Sequence, residues 1–183
     1  MRIMHSMALD ANQFTELIRQ HRGLIHKVTL AYCADPTDRE DVAQEIAAQL
    51  WRARDKYDER FRITTWIYRI ALNVAISFYR RERRHHTGRQ PLDEKLLVQT
   101  GDEQLEVSED VQRLLVCINT LGAIEKALVL LYLDGHDHAA IADVLGTSNS
   151  NVGTKLNRIK AKLRTCLTGG APTTTPENSN ATR

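Results

Sequence analysis

Hydrophobic residues recur every three or four positions along most of this 183-residue chain, and they almost never alternate. Such spacing places apolar side chains on one stripe of an α-helix, whereas a half-buried strand needs a period of two. The stripe runs from Phe14 to Ala31, Val42 to Ala53, Ile67 to Phe78 and Val111 to Leu167. The sequence therefore predicts an all-α fold.

One stretch without helical period divides the pattern. Residues 87–110 carry seven acidic and two basic residues, with Gly88, Pro91 and Gly101 as helix breakers, which is typical of a flexible acidic linker. We predict five segments: a flexible N-terminus (1–9), a helical domain (10–86), the linker (87–110), a second small helical domain (111–167) and a disordered tail (168–183).

Polar residues mark where the first helices begin. Asp10 and Gln13 are spaced as a helix N-cap and its capping-box partner. We place the start of the next helix at Thr37, and Thr64 or Thr65 is the predicted cap of the third.

Composition excludes several classes of protein. No apolar run approaches the length of a membrane span, and we expect a cytoplasmic protein without membrane insertion. Cys33, Cys117 and Cys166 follow no paired spacing, so they are interpreted as buried free thiols. No phosphate-binding loop, nucleophile elbow or HExxH motif is present, so we predict no enzyme activity, no cofactor and no bound metal.

The second domain contains a helix-turn-helix pattern. Asp137 is placed to cap a short helix that ends near Leu145, and Gly146 supplies the turn before a longer helix. Ala142 provides a small residue at the crossing of the two helices, and Val152 an apolar anchor.

The longer helix has an outer face of small polar and basic residues. Between residues 149 and 167 there are five basic residues and no acid. Compensation of the helix dipole is one explanation, and DNA recognition is the other, with polar side chains at base edges and cations at phosphates. The candidate DNA-contacting residues are Ser150, Asn151, Thr154, Lys155, Arg158 and Lys162.

Four stretches in this order resemble a known family. They are DREDVAQEIAAQLW (38–51), TTWIYRIALNVAISFYRRERR (64–84), LGAIEKALVLLYLDGHDHAAIADVLG (121–146) and NVGTKLNRIKAKLR (151–164). The chain resembles bacterial RNA polymerase sigma factors of the compact extracytoplasmic-function (ECF) type, which keep sigma regions 2 and 4. The resemblance implies region 2 in residues 10–86, and region 4 with its helix-turn-helix in residues 111–167.

The resemblance implies that the chain binds core RNA polymerase. The polymerase partners would be the clamp coiled coil of the largest subunit and the flap of the second subunit, with an anti-sigma factor as a further candidate partner. Five acids and one arginine lie between residues 35 and 45, and a solvated helix face is the alternative explanation. The residues expected to dock on the clamp are Asp38, Asp41, Val42, Gln44 and Glu45.

The resemblance also assigns promoter DNA to two surfaces. The outer face of the helix-turn-helix would read the −35 element, and the third helix with its preceding loop would hold the −10 strand. Asn73 matches the position expected to read a flipped base, and Trp66 is interpreted as a core residue. The −10 candidates are Phe61, Thr64, Thr65, Arg69, Asn73, Ser77, Arg80, Arg81 and Arg84.

The implied function is that of an alternative sigma factor, which directs polymerase to promoters and helps open the DNA. Gly153 departs from the family pattern by removing a side chain from the recognition helix. The alternative function is a stand-alone dimeric helix-turn-helix repressor or activator. A repressor would bind a two-fold related operator by itself, and would leave the acidic and basic helices of the first domain unexplained.

Overall fold

The computed structural model describes residues 10–58, 61–85 and 109–169. Within these ranges the chain forms eight α-helices and one short 3-10 turn (Arg54–Lys56), and no strand. The predicted N-terminus (1–9), the predicted linker up to residue 108 and all but the first two residues of the predicted tail (168–183) lie outside the described residues. The helices are α1 (Ala11–Gln20), α2 (Arg22–Tyr32), α3 (Pro36–Ala53), α4 (Ile63–His85), α5 (Glu109–Asn119), α6 (Ala123–Leu133), α7 (His138–Leu145) and α8 (Asn149–Leu167).

We call residues 10–85, with α1 to α4, the first half of the chain, and residues 109–169, with α5 to α8, the second half. In the first half, local sequence determines where the helices start. The capping box of α1 is confirmed, with the Gln13 amide donating to Asp10 Oδ1 at 2.8 Å and the Gln13 side chain accepting from the Asp10 amide at 3.0 Å. The prediction for α3 was wrong. Asp35 is its N-cap and accepts from the Thr37 amide at 2.8 Å, since Pro36 fits the first helical position, where no donor is needed. Thr64 and Thr65 lie inside α4, which begins at Ile63.

The first core lies between α2, α3 and α4. Val28, Ile46, Leu50, Ile67 and Ala71 have no exposed surface and meet at the centre of these helices. A fully buried aliphatic side chain stabilises a fold by about 1.5–3 kcal/mol. This core therefore fixes which faces of α3 and α4 point to solvent.

The second core lies between α6, α7 and α8. Leu128, Leu131, Ile141, Val152 and Leu156 are at most 2% exposed. The second half begins two residues earlier than predicted, because Glu109 and Asp110 form the first turn of α5. Acidic side chains are favourable at that end of a helix.

The two halves also pack on each other. The predicted stripe of α4 was too narrow, because Tyr68, Leu72, Ala75 and Ile76 are buried as well. This second face of α4 lies on the side of the second half, where α6 and α7 contact α4. A single hydrophobic cluster therefore runs through both halves.

The structure corrects the interpretation of the cysteines. Cys117 near the end of α5 and Cys166 near the end of α8 form a disulfide, with their Cα atoms 5.9 Å apart. Only Cys33 is a free, buried thiol among the described cysteines. Sequence spacing missed the pair because 49 positions separate its members.

None of the described helices is both long and apolar enough to cross a membrane.

Candidate polymerase and promoter surfaces

Helix α3 presents an acidic face. Asp41, Gln44 and Glu45 are exposed, and Asp38 is half-buried at the N-terminal end of the helix. Val42 is only 3% exposed and belongs to the core, so the structure corrects its inclusion among the docking residues. Val42 orients the helix so that its acidic neighbours face outward. We call Asp38, Asp41, Gln44 and Glu45 the acidic face.

Negative charge is concentrated at the Asp38 end of this face. Burial raises the pKa of Asp38, and the charges of Asp35, Glu82 and Asp41 raise it further, while Arg81 acts in the opposite direction. At the other end, Glu45 accepts from Gln49 at 2.7 Å and lies 3.4 Å from Arg52. Such a surface complements a basic partner and repels an acidic one.

Helix α4 carries the predicted basic face on the side away from its core. Its exposed side chains recur about once per turn from Arg69 to Arg84, in a helix that spans 23 residues. Thr64 is half-buried and Thr65 is only 8% exposed, so Thr65 serves packing and its place among the contact residues is corrected. The predicted contact residues of α4 that are exposed, which we call the basic face, are Arg69, Asn73, Ser77, Arg80, Arg81 and Arg84; Arg83 is exposed as well.

Aromatic residues lie beside the N-terminal end of the basic face. Phe61 is 46% exposed, and its carbonyl oxygen accepts from the Tyr57 hydroxyl at 2.9 Å. Trp66 is half-buried and packs against Tyr57, with ring centroids 5.3 Å apart. An exposed ring next to polar side chains can stack an unpaired base.

The N-terminal part of the basic face touches the second half. The Arg69 guanidinium donates to the carbonyl oxygen of Asp143 in α7. Asn73, one turn further along α4, is exposed. Arg69 is thus held by α7 of the same chain, whereas Asn73 faces solvent.

Helices α7 and α8 form the predicted helix-turn-helix. Asp137 Oδ1 accepts from the Ala140 amide at 2.7 Å and caps α7. Gly146 ends α7 with φ 63°, a left-handed conformation that glycine adopts readily because it has no Cβ atom. Ser148 caps α8, and Val152 is fully buried against the first helix as predicted.

All six predicted DNA-contacting residues of α8 are exposed. The Asn151 amide group donates to Thr147 Oγ1 at 2.9 Å, and the Thr154 hydroxyl donates to the Ser150 carbonyl at 3.1 Å. Lys162 instead pairs with Glu125 of α6 at 2.6 Å, so its charge is already compensated within the protein. We call the other five, Ser150, Asn151, Thr154, Lys155 and Arg158, the recognition face.

Gly153 lies on the inner side of the recognition helix. A Cβ atom at this position would be 3.6 Å from the His138 ring, an ordinary van der Waals distance. Crowding therefore does not explain why position 153 is a glycine, because the structure has room for a Cβ atom there.

Polar contacts between the halves were absent from the predictions. The buried Lys126 donates to the Ala31 carbonyl at 2.7 Å and to Asn119 Oδ1 at 3.1 Å. Asp134 accepts from Lys27 and from the Tyr68 hydroxyl. Lys126 could have been found from the sequence, because a lysine within the apolar stripe of α6 indicates a buried polar contact. Asp134 lies at the C-terminal end of α6, where an acidic residue gives no such indication.

Among the residues with described positions, no three or more His, Cys, Asp or Glu side chains converge as a metal site.

Exposed basic helices and a helix-turn-helix define an all-helical, DNA-binding type of protein. The acidic face adds a second surface with the opposite charge.

Comparison with known families makes this class more specific. The Sigma-70 region 2 model matches residues 17–85, and the Sigma-70, region 4 model matches residues 111–163. The chain belongs to the sigma-70 family, and its relatives include sigma factors of the ECF type.

Two curated relatives align along most of the chain. The RNA polymerase sigma factor CnrH of Cupriavidus metallidurans is 28% identical over 180 residues, which cover 91% of this chain and 93% of CnrH. The ECF RNA polymerase sigma factor SigM of Mycobacterium tuberculosis is 25% identical over 163 residues, covering 88% and 80%.

Solved structures share the fold. The sigma factor RpoE of Bartonella quintana, crystallised with the anti-sigma factor NepR, superposes with a TM-score of 0.70 at 18% identity, covering 86% of this chain and 98% of RpoE. CnrH in complex with the cytosolic domain of CnrY gives a TM-score of 0.63 at 20% identity, covering 91% and 94%.

Proposed function

We propose that this protein is an alternative sigma factor that binds core RNA polymerase, directs it to promoters and helps open the DNA. The observation that carries the proposal is the order of two family matches, region 2 followed by region 4, on one chain. Each match coincides with an exposed surface of suitable charge. The protein is a transcription initiation factor and not an enzyme, and it acts in the cytoplasm with the polymerase.

The acidic face is the proposed docking surface for the clamp coiled coil. Asp41, Gln44 and Glu45 project from one side of α3, while Val42 and Ile46 anchor the other side in the core. A basic partner helix would gain complementary charges there without rearrangement of α3. The flap of the second polymerase subunit is the proposed partner of residues 111–167.

The basic face is the proposed −10 surface. Unstacking a base costs a few kcal/mol, and a protein recovers this cost by holding the base through stacking and hydrogen bonds. Asn73 offers an exposed amide with both donors and an acceptor, and Phe61 offers an exposed ring. Arg80, Arg81 and Arg84 extend the surface with cations for backbone phosphates.

The recognition face is the proposed −35 surface. Ser150, Asn151 and Thr154 lie on the first turns of α8, the part of a recognition helix that reaches base edges. Lys155 and Arg158 continue the same face toward the phosphates. An anti-sigma factor is a further proposed partner, because the two superposed sigma factors were solved as complexes with anti-sigma proteins or domains.

Run-off transcription tests the function. Purified core polymerase is incubated with and without the protein on genomic fragments, including the region upstream of this protein's own gene. We expect discrete transcripts that depend on the protein. Asn73→Ala should abolish them, whereas Asn12→Ala, an exposed asparagine on α1, should leave them unchanged.

A charge reversal tests the docking surface separately. Asp41→Arg/Glu45→Arg should prevent co-elution with core polymerase, and the matched reversal Glu109→Arg/Asp110→Arg on exposed positions of α5 should not. If no transcripts form and the protein alone binds a palindromic duplex tightly, the chain is a dimeric repressor or activator instead.

A further inference from the structure

The last turn of α8 is the part of this helix that is least attached to the rest of the protein, since among residues 164–167 only Cys166 is not fully exposed. Ile159 is the last fully buried residue of this helix, and Leu163 is only half-buried. Beyond it, Leu167 is 45% exposed. Lys162 still pairs with Glu125 of α6, and beyond it the disulfide from Cys166 links the last turn to α5.

Helix α5 depends on the same connection from the other side. Among its residues only Cys117 and Ile118 are buried, whereas α6 buries five residues over the same length. Leu114, Leu115 and Val116 are half-buried, so one of the two fully buried side chains that anchor α5 belongs to the disulfide. The state of this bond decides how firmly α5 and the end of α8 are held.

We propose that Cys117 and Cys166 form a reversible redox pair, oxidised by hydrogen peroxide or an organic hydroperoxide, whose disulfide clasps α5 to the C-terminal turns of α8. The inference rests on the proposed function, because a protein that acts in the cytoplasm meets thiol reductants that keep most cysteines reduced. A lone disulfide there is a transient or sensing bond more often than a permanent one.

Burial suggests the order of the reaction. Cys166 is partly exposed and can meet a peroxide, while Cys117 is 3% exposed and lies within bonding distance of it. The Cys166 sulfur attacks one peroxide oxygen, the O–O bond breaks, and water (or an alcohol) leaves with formation of a sulfenic acid. The Cys117 sulfur then attacks that sulfur, the S–S bond forms, and a second water leaves. Two sulfurs together lose two electrons and the peroxide gains two.

Cys33 provides an internal control in the same chain. It is 2% exposed, and burial raises the pKa of its thiol to about 12. Because the thiolate is the reactive form, Cys33 should not respond to peroxide.

Thiol counting tests the pair directly. Full-length protein is reduced, treated with hydrogen peroxide, denatured and labelled with a maleimide-polyethylene glycol. We expect three labels before and one label after treatment, at Cys33, and recovery of three after addition of dithiothreitol. Three labels after treatment, or loss of labels through intermolecular bonds on a non-reducing gel, would overturn the proposal.

Stability measures what the bond does. A cross-link that closes a 49-residue separation should raise the melting temperature of the oxidised protein by on the order of 10 °C. Hydrogen exchange should slow in α5 and at the end of α8 but not in α3. Cys117→Ser/Cys166→Ser should melt like reduced wild type and ignore peroxide. Equal melting of oxidised and reduced wild type would contradict the clasp.

Transcription separates this inference from the proposed function. Between the two melting temperatures, peroxide-treated wild type should keep its promoter-dependent transcripts, and reduced wild type should lose them. Transcripts at low temperature from both forms test the sigma function itself. If those appear while oxidation changes neither labelling nor heat resistance, the redox inference fails and the sigma function stands.

Discussion

Lys126 is a buried cation between the two halves, and replacing it should change how stability depends on pH. Its ammonium group caps the C-terminal end of α2 by donating to the Ala31 carbonyl, and it lies 5.0 Å from the centre of the Tyr79 ring. Burial is the largest influence on its pKa, which falls from 10.5 to about 8, and the charge of Arg83 acts in the same direction.

The size of the effect follows from this pKa. Each tenfold loss of proton affinity corresponds to about 1.4 kcal/mol, so burying the charged form costs on the order of 3 kcal/mol at neutral pH. Because the folded pKa lies below the unfolded one, the unfolded chain binds more protons, and stability rises with pH between about 8 and 10.5. Between pH 7 and pH 9 the gain should be about 1 kcal/mol.

Urea unfolding of wild type and Lys126→Met at both pH values, followed by circular dichroism, measures the gain. The free energy of unfolding of wild type should increase relative to the variant by about 1 kcal/mol from pH 7 to pH 9. Lys56→Met, which changes an exposed lysine, should follow wild type at both pH values. Identical pH dependence of wild type and Lys126→Met would refute the reasoning.

Three further predictions concern the second half and its contacts. Gly153→Ala should raise the free energy of unfolding by about 1 kcal/mol, because alanine favours a helix and the structure has room for its methyl group. Gly146→Ala should lower the free energy of unfolding, because alanine is strained at φ 63°. Urea unfolding of both variants checks these opposite signs. Asp134→Asn should destabilise by about 1–3 kcal/mol at pH 7. Lys27 and Tyr68 lower the pKa of Asp134 although burial opposes them, so this stabilisation is lost as pH falls below 3.8 and the variant should then match wild type. Arg158→Ala should reduce the slope of log affinity against log salt by about 0.9 for −35 duplex DNA, and an unchanged slope in a fluorescence anisotropy titration would remove this residue from the phosphate contacts.

Local sequence predicted the features that depend on neighbours a few positions away. The Asp137 cap, the Gly146 turn and the buried Val152 were all placed correctly, because capping and helix periodicity act over three or four residues. The α3 cap was wrong by two positions, since Pro36 makes Asp35 the better N-cap.

The exposed faces of α3, α4 and α8 were predicted less completely. Charge and period identified Asp41, Asn73 and Arg158 as outward-facing residues, and the structure exposes all three. Val42 and Thr65 were misjudged because a motif names positions and does not say which of them the core covers. The binding roles of Asp41, Asn73 and Arg158 stay predictions.

Sequence by itself determined that this chain is helical, where its helix-turn-helix lies and which family it belongs to. Each of these depends on the spacing of residues that are close together in the sequence. Only the tertiary structure decided that α4 is buried on a second face, that Lys126 and Asp134 join the halves, and that Cys117 meets Cys166. These contacts join residues 49 to 107 positions apart. Such pairs depend on how whole helices pack, which no local pattern specifies.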